Sequence, residues 1–467
     1  MSENDNFSPS QPEYFQSSYI EPYKEKKPKY YYQPSLEECD LDFKNNDHQS
    51  ATNTPVVGSH DSMSTTTPNK NNETCRFNSF ADASYDTLQK NVSDNAMDMG
   101  FINPSEKHPV KVEVFLRHLD LTPIMLALEK LYGEKYRFKF PVDAMLKTMI
   151  YFKLKHYNFL TELWDDLVAS PHLANDLGFT EIPDYNTLYH FLIKRLNSKG
   201  TKKILDAFVE ANRRELLRQN IILGEEIVLD ASPIPAKKKD EEADWNGHYE
   251  KWCYLWHNLR CINTGLPLDF HISNGREDEA HFLAPFVLKL VFLKHIHPVK
   301  AYIDGGYANF ENIARMHLYF NIDVVCNIAK DWKFSESGTK SEIQRWYNKL
   351  WKESYYEAKA SFEYMQYALL LKGGVRFKQI GMYYRNNILT RYEECPDGYM
   401  DDYHFRNRIE NNHGTEKRKT EIKDIEAKSI ERVTTHIGMH LLALHAIALC
   451  RLQNGVTTGL TALAGLV

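Results

Sequence analysis

The chain has 467 residues, 42% of them hydrophobic and 13% aromatic, which is enough for two or three domains with a sizeable core. Its seven cysteines form no Cys-x-x-Cys pair and no zinc-finger spacing, which argues against a zinc site and against a disulfide framework. The N-terminus lacks an apolar signal core, and the stretch Ile437–Leu449 is short for a bilayer and contains histidines. We therefore expect a protein of the reducing cytoplasm with no membrane partner.

The charge of the chain is unevenly distributed. A net charge of −6 argues weakly against nucleic-acid binding, but the local field matters more than the total. Eight basic residues stand against three acidic ones between Leu188 and Arg218, and six against three between Tyr403 and Lys423. These two segments are candidate phosphate-facing surfaces.

The first part of the chain divides into a polar tail and a helical segment. Residues 1–105 are rich in Asn, Ser, Asp, Gln and Pro and lack a sustained period, which predicts a disordered tail. In residues 106–222 apolar residues recur at helical spacing, which predicts an all-α domain.

Two capped helices in that domain resemble a helix-turn-helix. Ser170-Pro171 is a typical helix start, Gly178 is a turn signal, and Pro183–Arg195 reads as a second helix that ends in Lys194 and Arg195. We predict a DNA-binding domain in which these two basic residues contact DNA. An ordinary helix bundle would match the same pattern.

The pattern changes after residue 222 to one typical of a mixed α/β fold, because short apolar strands occur first in a hairpin and then in alternation with helices. We predict the first part of an α/β core at residues 223–331 and a β-rich insertion at 332–400, with a hairpin at Ala368–Phe377. Residues 401–455 are expected to complete the core with two helices, and residues 456–467 to form a loose tail.

A stripe of four side chains marks the segment from Tyr403 to Lys417. Tyr403, Arg406, Glu410 and Lys417 lie within roughly a 60° sector of a helix at about 100° per residue. An aromatic ring, a guanidinium, a carboxylate and an ammonium on one face suit a metal site beside a nucleic-acid backbone. The alternative is a solvated face of an amphipathic helix.

Two further carboxylates end apolar segments of the predicted sheet. Asp230 follows Ile227-Val-Leu and Asp304 follows Tyr302-Ile, where a charge is costly unless it is paired or binds a metal. Neighbouring strands would place both at one sheet edge, and Glu410 would complete an all-oxygen pocket for Mg²⁺ or Mn²⁺. A turn or capping role for each aspartate is the alternative.

With these residues in place, the chain resembles the DDE transposases of the insertion-sequence-4 type. All four residues of the Tyr-x2-Arg-x3-Glu-x6-Lys signature are present, and Asp304 is followed by Gly-Gly-Tyr307. The resemblance implies an RNase H-like catalytic fold in which Asp230, Asp304 and Glu410 bind two Mg²⁺ ions, with Mn²⁺ as a possible substitute. It also implies that Tyr403, Arg406 and Lys417 contact DNA phosphates near the transposon end.

The resemblance further implies the reaction and the partners. Water first cleaves DNA at the ends of an insertion sequence, and the exposed 3′-hydroxyls then attack target DNA. The expected partners are the terminal inverted repeats, target DNA and a second copy of the chain in a nucleoid-associated synaptic complex. A non-cutting DNA-binding protein of transposase descent and a stand-alone metal-dependent nuclease are the alternatives.

Overall fold

The computed structural model describes residues 111–132, 139–237, 239–330, 332–346, 375–419 and 428–463. Within these ranges, residues 375–377 and 408–419 are described by their backbone alone. The tail predicted at residues 1–105 lies outside the described residues. Residues 368–374 of the predicted hairpin also lie outside them.

Helices fill the described part of the chain before the first strand, as the apolar periodicity predicts. Pro171 occupies the first turn of one helix, and that helix ends at Gly178, whose φ of +100° favours glycine. Asp184 caps the next helix by accepting a hydrogen bond from the Thr187 amide at 2.8 Å. Phe191–Arg195 then continues as a π-helical turn. The helices are α1 Val112–His118, α2 Met125–Lys130, α3 Val142–Leu154, α4 Leu160–Ala169, α5 Pro171–Leu177, α6 Tyr185–His190 and α7 Ser198–Arg218.

The strands form one mixed sheet, which confirms the predicted mixed α/β class. Its order is β2-β3-β1-β5-β6, and β4 also pairs with β3. The β1–β3 and β3–β4 pairs are antiparallel, whereas β1–β5 and β5–β6 are parallel. The strands are β1 Glu226–Pro235, β2 Asp244–Asn246, β3 Lys251–Cys261, β4 Pro267–Asn274, β5 Lys300–Ile303 and β6 Asp323–Cys326.

One strand boundary differs from the prediction. Asp230 lies inside β1 rather than at its end, because β3 pairs with β1 as far as Pro235. The parallel pairing of β1 with β5 stops earlier, at Leu229 and Ile303. Asp230 therefore sits where the parallel partner ends and the antiparallel partner continues.

The prediction of strands after Phe377 is wrong, because the described part of this region is helical. Ile380, Tyr384 and Ile388 recur at four-residue spacing and contribute to buried apolar clusters. Their helix approaches the helix that begins at Phe310 so closely that a Cβ on Gly381 would lie 2.1 Å from the Phe310 carbonyl oxygen. Tertiary packing thus outweighs the local β-propensity of the tyrosines. The helices after the first strands are α8 Leu283–Leu293, α9 Phe310–Phe320, α10 Val375–Glu394, α11 Pro396–Lys419 and α12 Ile430–Gln453.

The last helix, α12, lies at the centre of the core. It is the single described helix long and apolar enough to cross a membrane, but 94% of its apolar window is buried inside the protein. It packs against α3, α7 and β4. At Gly438 the contact is close, since a Cβ there would lie 2.2 Å from the Thr201 methyl carbon. The helices before β1 and the sheet therefore share one hydrophobic core.

Candidate active site

The two aspartates meet where the parallel pairing of β1 and β5 ends. Leu229 pairs with Ile303, so the next position on each strand is Asp230 and Asp304. The Asp304 carboxylate accepts a hydrogen bond from the Gly305 amide at 2.7 Å and caps the short turn Gly305–Tyr307. Asp230 is the more buried of the pair, with 15% of its side chain exposed against 44% for Asp304. The register of the sheet thus places two carboxylates side by side.

Helix α11 is fixed to the adjacent strands by two residues near its start. The Tyr399 hydroxyl donates to the Cys326 carbonyl at 2.9 Å and accepts from the Cys326 amide at 3.2 Å, which ties the helix to β6. One turn later, Asp402 pairs with the Lys300 ammonium at 2.7 Å and accepts from the Tyr302 hydroxyl at 2.8 Å. These contacts tie the helix to β5. The helix therefore crosses the sheet towards β1.

Arg406, another turn along α11, joins the helix to both aspartates. Its Nη2 lies 3.0 Å from Asp230 Oδ1, and its Nη1 lies 3.4 Å from Asp304 Oδ1. The guanidinium also donates a hydrogen bond to the Tyr403 hydroxyl, and both side chains are buried. A planar guanidinium with donors on several nitrogens can hold two carboxylates at once. The sequence predicts that Arg406 and Tyr403 contact DNA phosphates, whereas in the structure Arg406 pairs with the two aspartates and donates to Tyr403.

Glu410 and Lys417 lie further along the same helix. Helix α11 spans all four residues of the stripe, which confirms the helical prediction for this segment. The side chains of Glu410 and Lys417 fall outside the described ones. Residues four apart share a helix face, so the backbone places Glu410 on the face of Arg406, one turn beyond the aspartates.

The two basic residues of the helix-turn-helix candidate have different surroundings. Lys194 is exposed. Arg195 is half-buried, donates to the Leu131 carbonyl at 3.3 Å and lies 4.9 Å from the centre of the Tyr132 ring. Arg195 therefore has a packing role in addition to any contact with DNA.

A buried polar chain, which the sequence did not reveal, stands behind the Asp304 turn. The Tyr307 hydroxyl lies 2.7 Å from His257 Nδ1, and His257 Nε2 lies 2.9 Å from the Ser273 hydroxyl. Burial lowers the pKa of His257 to about 3 and raises that of Tyr307, so both are neutral. The Ser273 hydroxyl donates to the Asn274 carbonyl at 3.1 Å and therefore accepts from His257 Nε2, which leaves Nδ1 to accept from the Tyr307 phenol. The Gly-Gly-Tyr sequence after Asp304 was the one sequence signal for Tyr307, but nothing in the sequence indicated that His257 would contact it.

A further carboxylate, Glu279, also lies near the aspartates. The pKa of Glu279 is raised to about 7, first by burial and then by the charges of Asp304 and Asp230. The half-buried Tyr249 has a pKa raised to about 12, by burial and by the same three carboxylates. Sequence reasoning missed Glu279 because it stands in a short turn among other acidic residues, where a solvated or capping role is the ordinary interpretation.

The donors present fit a hard divalent cation. Among the described side chains, no three His, Cys, Asp or Glu residues converge as a ligand set. Asp230 and Asp304 nevertheless share one positive group, the Arg406 guanidinium, and offer only oxygen donors. Oxygen ligands of this kind suit Mg²⁺ and Mn²⁺.

The mixed sheet, the helices around it and the paired aspartates are consistent with an RNase H-like catalytic core. Residues 223–445 match the family model described as "Transposase DDE domain". The chain therefore contains the catalytic domain of a DDE transposase, an enzyme that binds DNA and catalyses its transposition. Neither the curated proteins nor the solved structures include a match to the chain.

Proposed function

We propose that this protein cuts DNA at the ends of an insertion sequence and joins the freed 3′-hydroxyl ends to target DNA. We place it among transposases of the insertion-sequence-4 type on the strength of the signature from Tyr403 to Lys417. The observation that carries the proposal is the register that brings Asp230 and Asp304 together under helix α11.

Asp230, Asp304 and Glu410 would hold the metal. Two Mg²⁺ ions, replaceable by Mn²⁺, would supply the positive charge that activates the attacking oxygen and stabilises the leaving oxygen. The protein supplies alignment, because β1 and β5 fix the two aspartates and the contacts of Tyr399 and Asp402 fix the helix that carries Glu410.

Cationic and aromatic side chains would orient the DNA backbone. Lys417 lies two turns beyond Glu410 on the same helix and would bind a phosphate as a point charge. Arg406 and Tyr403 would contact phosphate once the guanidinium exchanges its carboxylate partners for the DNA backbone, since Arg binds carboxylate and phosphate by the same bidentate geometry. Lys194 and Arg195 would contact DNA outside the catalytic centre.

The proposed partners are the terminal inverted repeats, target DNA and a second copy of the chain that pairs the two ends. We propose the nucleoid of the cytoplasm as the site of action. No membrane partner is proposed.

Labelled DNA that carries the genomic ends flanking the gene tests this function. Wild-type protein with Mg²⁺ should nick at the ends and produce joined products, whereas Asp230→Asn and Glu410→Gln should do neither. The matched control Glu241→Gln changes an exposed carboxylate in the loop after β1 and should retain activity. Absence of nicking would favour the non-cutting DNA-binding protein, and nicking without joined products would favour the stand-alone nuclease.

A further inference from the structure

The Glu279 side chain lies beside the turn that follows Asp304, in space that is free because residue 306 is a glycine. It begins the short turn Glu279–His281 between β4 and α8. A Cβ on Gly306 would lie 2.5 Å from Glu279 Oε2, so a larger residue at 306 would displace the carboxylate. The half-buried Glu279 side chain thus packs directly on the turn that follows Asp304.

A buried amide holds these two turns together. The Asn312 side chain is fully buried and donates to the Ala280 carbonyl at 2.7 Å and to the Tyr307 carbonyl at 2.8 Å. One of these carbonyls follows Glu279, and the other ends the turn that Asp304 caps. The clamp therefore fixes the position of Glu279 relative to Asp304.

Glu279 does not have the ordinary structural role of an acidic residue at a helix start. Asp278 performs that role by accepting a hydrogen bond from the Ala280 amide at 3.0 Å. Instead, the charges of Asp304 and Asp230 add to burial in raising the pKa of Glu279, and the charge of Glu279 adds to burial in raising the pKa of Tyr307. Glu279 therefore adds a third negative charge to a half-buried region in which the Arg406 guanidinium pairs with Asp230 and Asp304, and a divalent cation would reduce the remaining repulsion.

We propose that Glu279 is a fourth acidic residue of the catalytic site, where it acts as a positioning residue that increases the affinity of the site for divalent cations. The inference rests on the proposed function, since it needs Asp230 and Asp304 to bind the cation. Glu279 acts through its charge and through the turn that presents Asp304.

Binding of Mn²⁺ to the full-length protein, followed by the electron paramagnetic resonance signal of the free ion at pH 8, tests this inference. Glu279→Gln should weaken Mn²⁺ binding about ten-fold, the size of one added charge at short range in a partly solvated site. Glu279→Asp should restore part of the affinity. Glu277→Gln, an exposed carboxylate two residues away, is the matched control and should bind as the wild type does.

The Gly306→Ala variant should displace the Glu279 carboxylate without changing any charge. Like Glu279→Gln, it should weaken Mn²⁺ binding. If Glu279→Gln and Gly306→Ala bind Mn²⁺ as the wild type does while Asp230→Asn loses it, the inference is overturned and the proposed function stands. If Asp230→Asn also binds as the wild type does, the proposed metal site fails, and the inference fails with it.

Discussion

Arg406 is the residue on which the described geometry of the site depends most. Its guanidinium lies between Asp230 and Asp304 and is itself buried. Two carboxylates on adjacent strands would otherwise repel each other in a region of reduced solvent access. Arg406 therefore compensates the charge of the pair.

Replacing Arg406 with leucine should lower the free energy of unfolding by about 3 kcal/mol, because it leaves partly buried carboxylates without their cation. Added Mg²⁺ should recover part of that loss, since it binds the same carboxylates. Urea denaturation with and without Mg²⁺ measures both effects. Arg218 pairs with Glu215, and its side chain is 71% exposed. The control variant Arg218→Leu should therefore change the free energy of unfolding by less than about 0.5 kcal/mol. An equal loss in both variants would argue against the compensating role of Arg406.

His445, which is buried in the core, makes the stability of the protein depend on pH. The Asn212 amide donates to Nδ1 at 2.9 Å, and Nε2 donates to the Pro267 carbonyl at 2.7 Å, so the neutral ring has both nitrogens satisfied. Burial lowers the pKa of His445 to about 3. Because the pKa is lowered on folding, the neutral ring contributes fully to stability above the pKa of the unfolded chain, near 6.5. This contribution is lost as the pH falls towards 3.

The free energy of unfolding of the wild-type protein should therefore fall by about 2 kcal/mol through His445 alone when the pH is lowered from 7 to 5. Comparing unfolding free energies of the wild type and His445→Gln across this range isolates the contribution, because the variant should show the smaller decrease. His190→Gln, at an exposed histidine, should leave the pH dependence unchanged. Parallel profiles for the wild type and His445→Gln would contradict the assignment.

At the scale of elements, α11 depends on its anchors for its position over the sheet. The pair of Asp402 with Lys300 and the hydrogen bond from Tyr302 fix the helix on β5 two turns before Glu410. A small shift of a catalytic group can reduce the rate strongly, because the reaction requires precise alignment.

Replacing Asp402 with asparagine should lower DNA cleavage about ten- to hundred-fold through misplacement of the helix. The cost in stability should be only about 1 kcal/mol, because the pair is partly solvated. Rate measurements at saturating DNA, together with thermal unfolding, separate the two effects. The neighbouring Asp401→Asn, at an exposed position, is the matched control. If both variants cleave equally, the anchor does not position the site.

The elements also show which features the sequence could predict. The hairpin of the first strands, the helix start at Ser170-Pro171 and the helical segment from Tyr403 to Lys417 follow local rules of turn and helix chemistry, and they are confirmed, although the Ser170 side chain makes no capping hydrogen bond. The strands predicted after Phe377 are instead helix α10, because the tyrosines favour strands locally whereas contacts with α9 stabilise the helix. Glu279 and His257 were missed because their significance depends on turns that meet only in the folded chain.

At the scale of the whole molecule, the N-terminal helices and the catalytic sheet are joined through α12. Helices α7 and α12 pack along each other, and α12 also contacts β4. Buried residues from the helices before β1 and from the sheet form one continuous core. We expect this part of the chain to unfold in one cooperative transition.

Gly438→Ala tests the coupling at its closest point. The added methyl would lie 2.2 Å from a Thr201 methyl carbon and 3.1 Å from the Phe270 ring, so it should lower stability by about 2 kcal/mol. Circular dichroism and tryptophan fluorescence should report the same lowered midpoint. Gly247→Ala, where no atom lies within 4 Å of the added Cβ, should stay within about 0.5 kcal/mol of the wild type. Separate midpoints for the two signals would show that the parts unfold independently.

The most direct test of the catalytic centre maps where the protein binds a divalent metal. Fe²⁺ can replace Mg²⁺ at oxygen sites, and with ascorbate and peroxide it cleaves the polypeptide next to the bound ion. Mass spectrometry of the fragments should locate cuts near Asp230, Asp304 and Glu410, and Asp230→Asn should abolish them. Cuts elsewhere in the chain, or cuts that persist in Asp230→Asn, would contradict the proposal that these carboxylates form the metal site of the transposase domain.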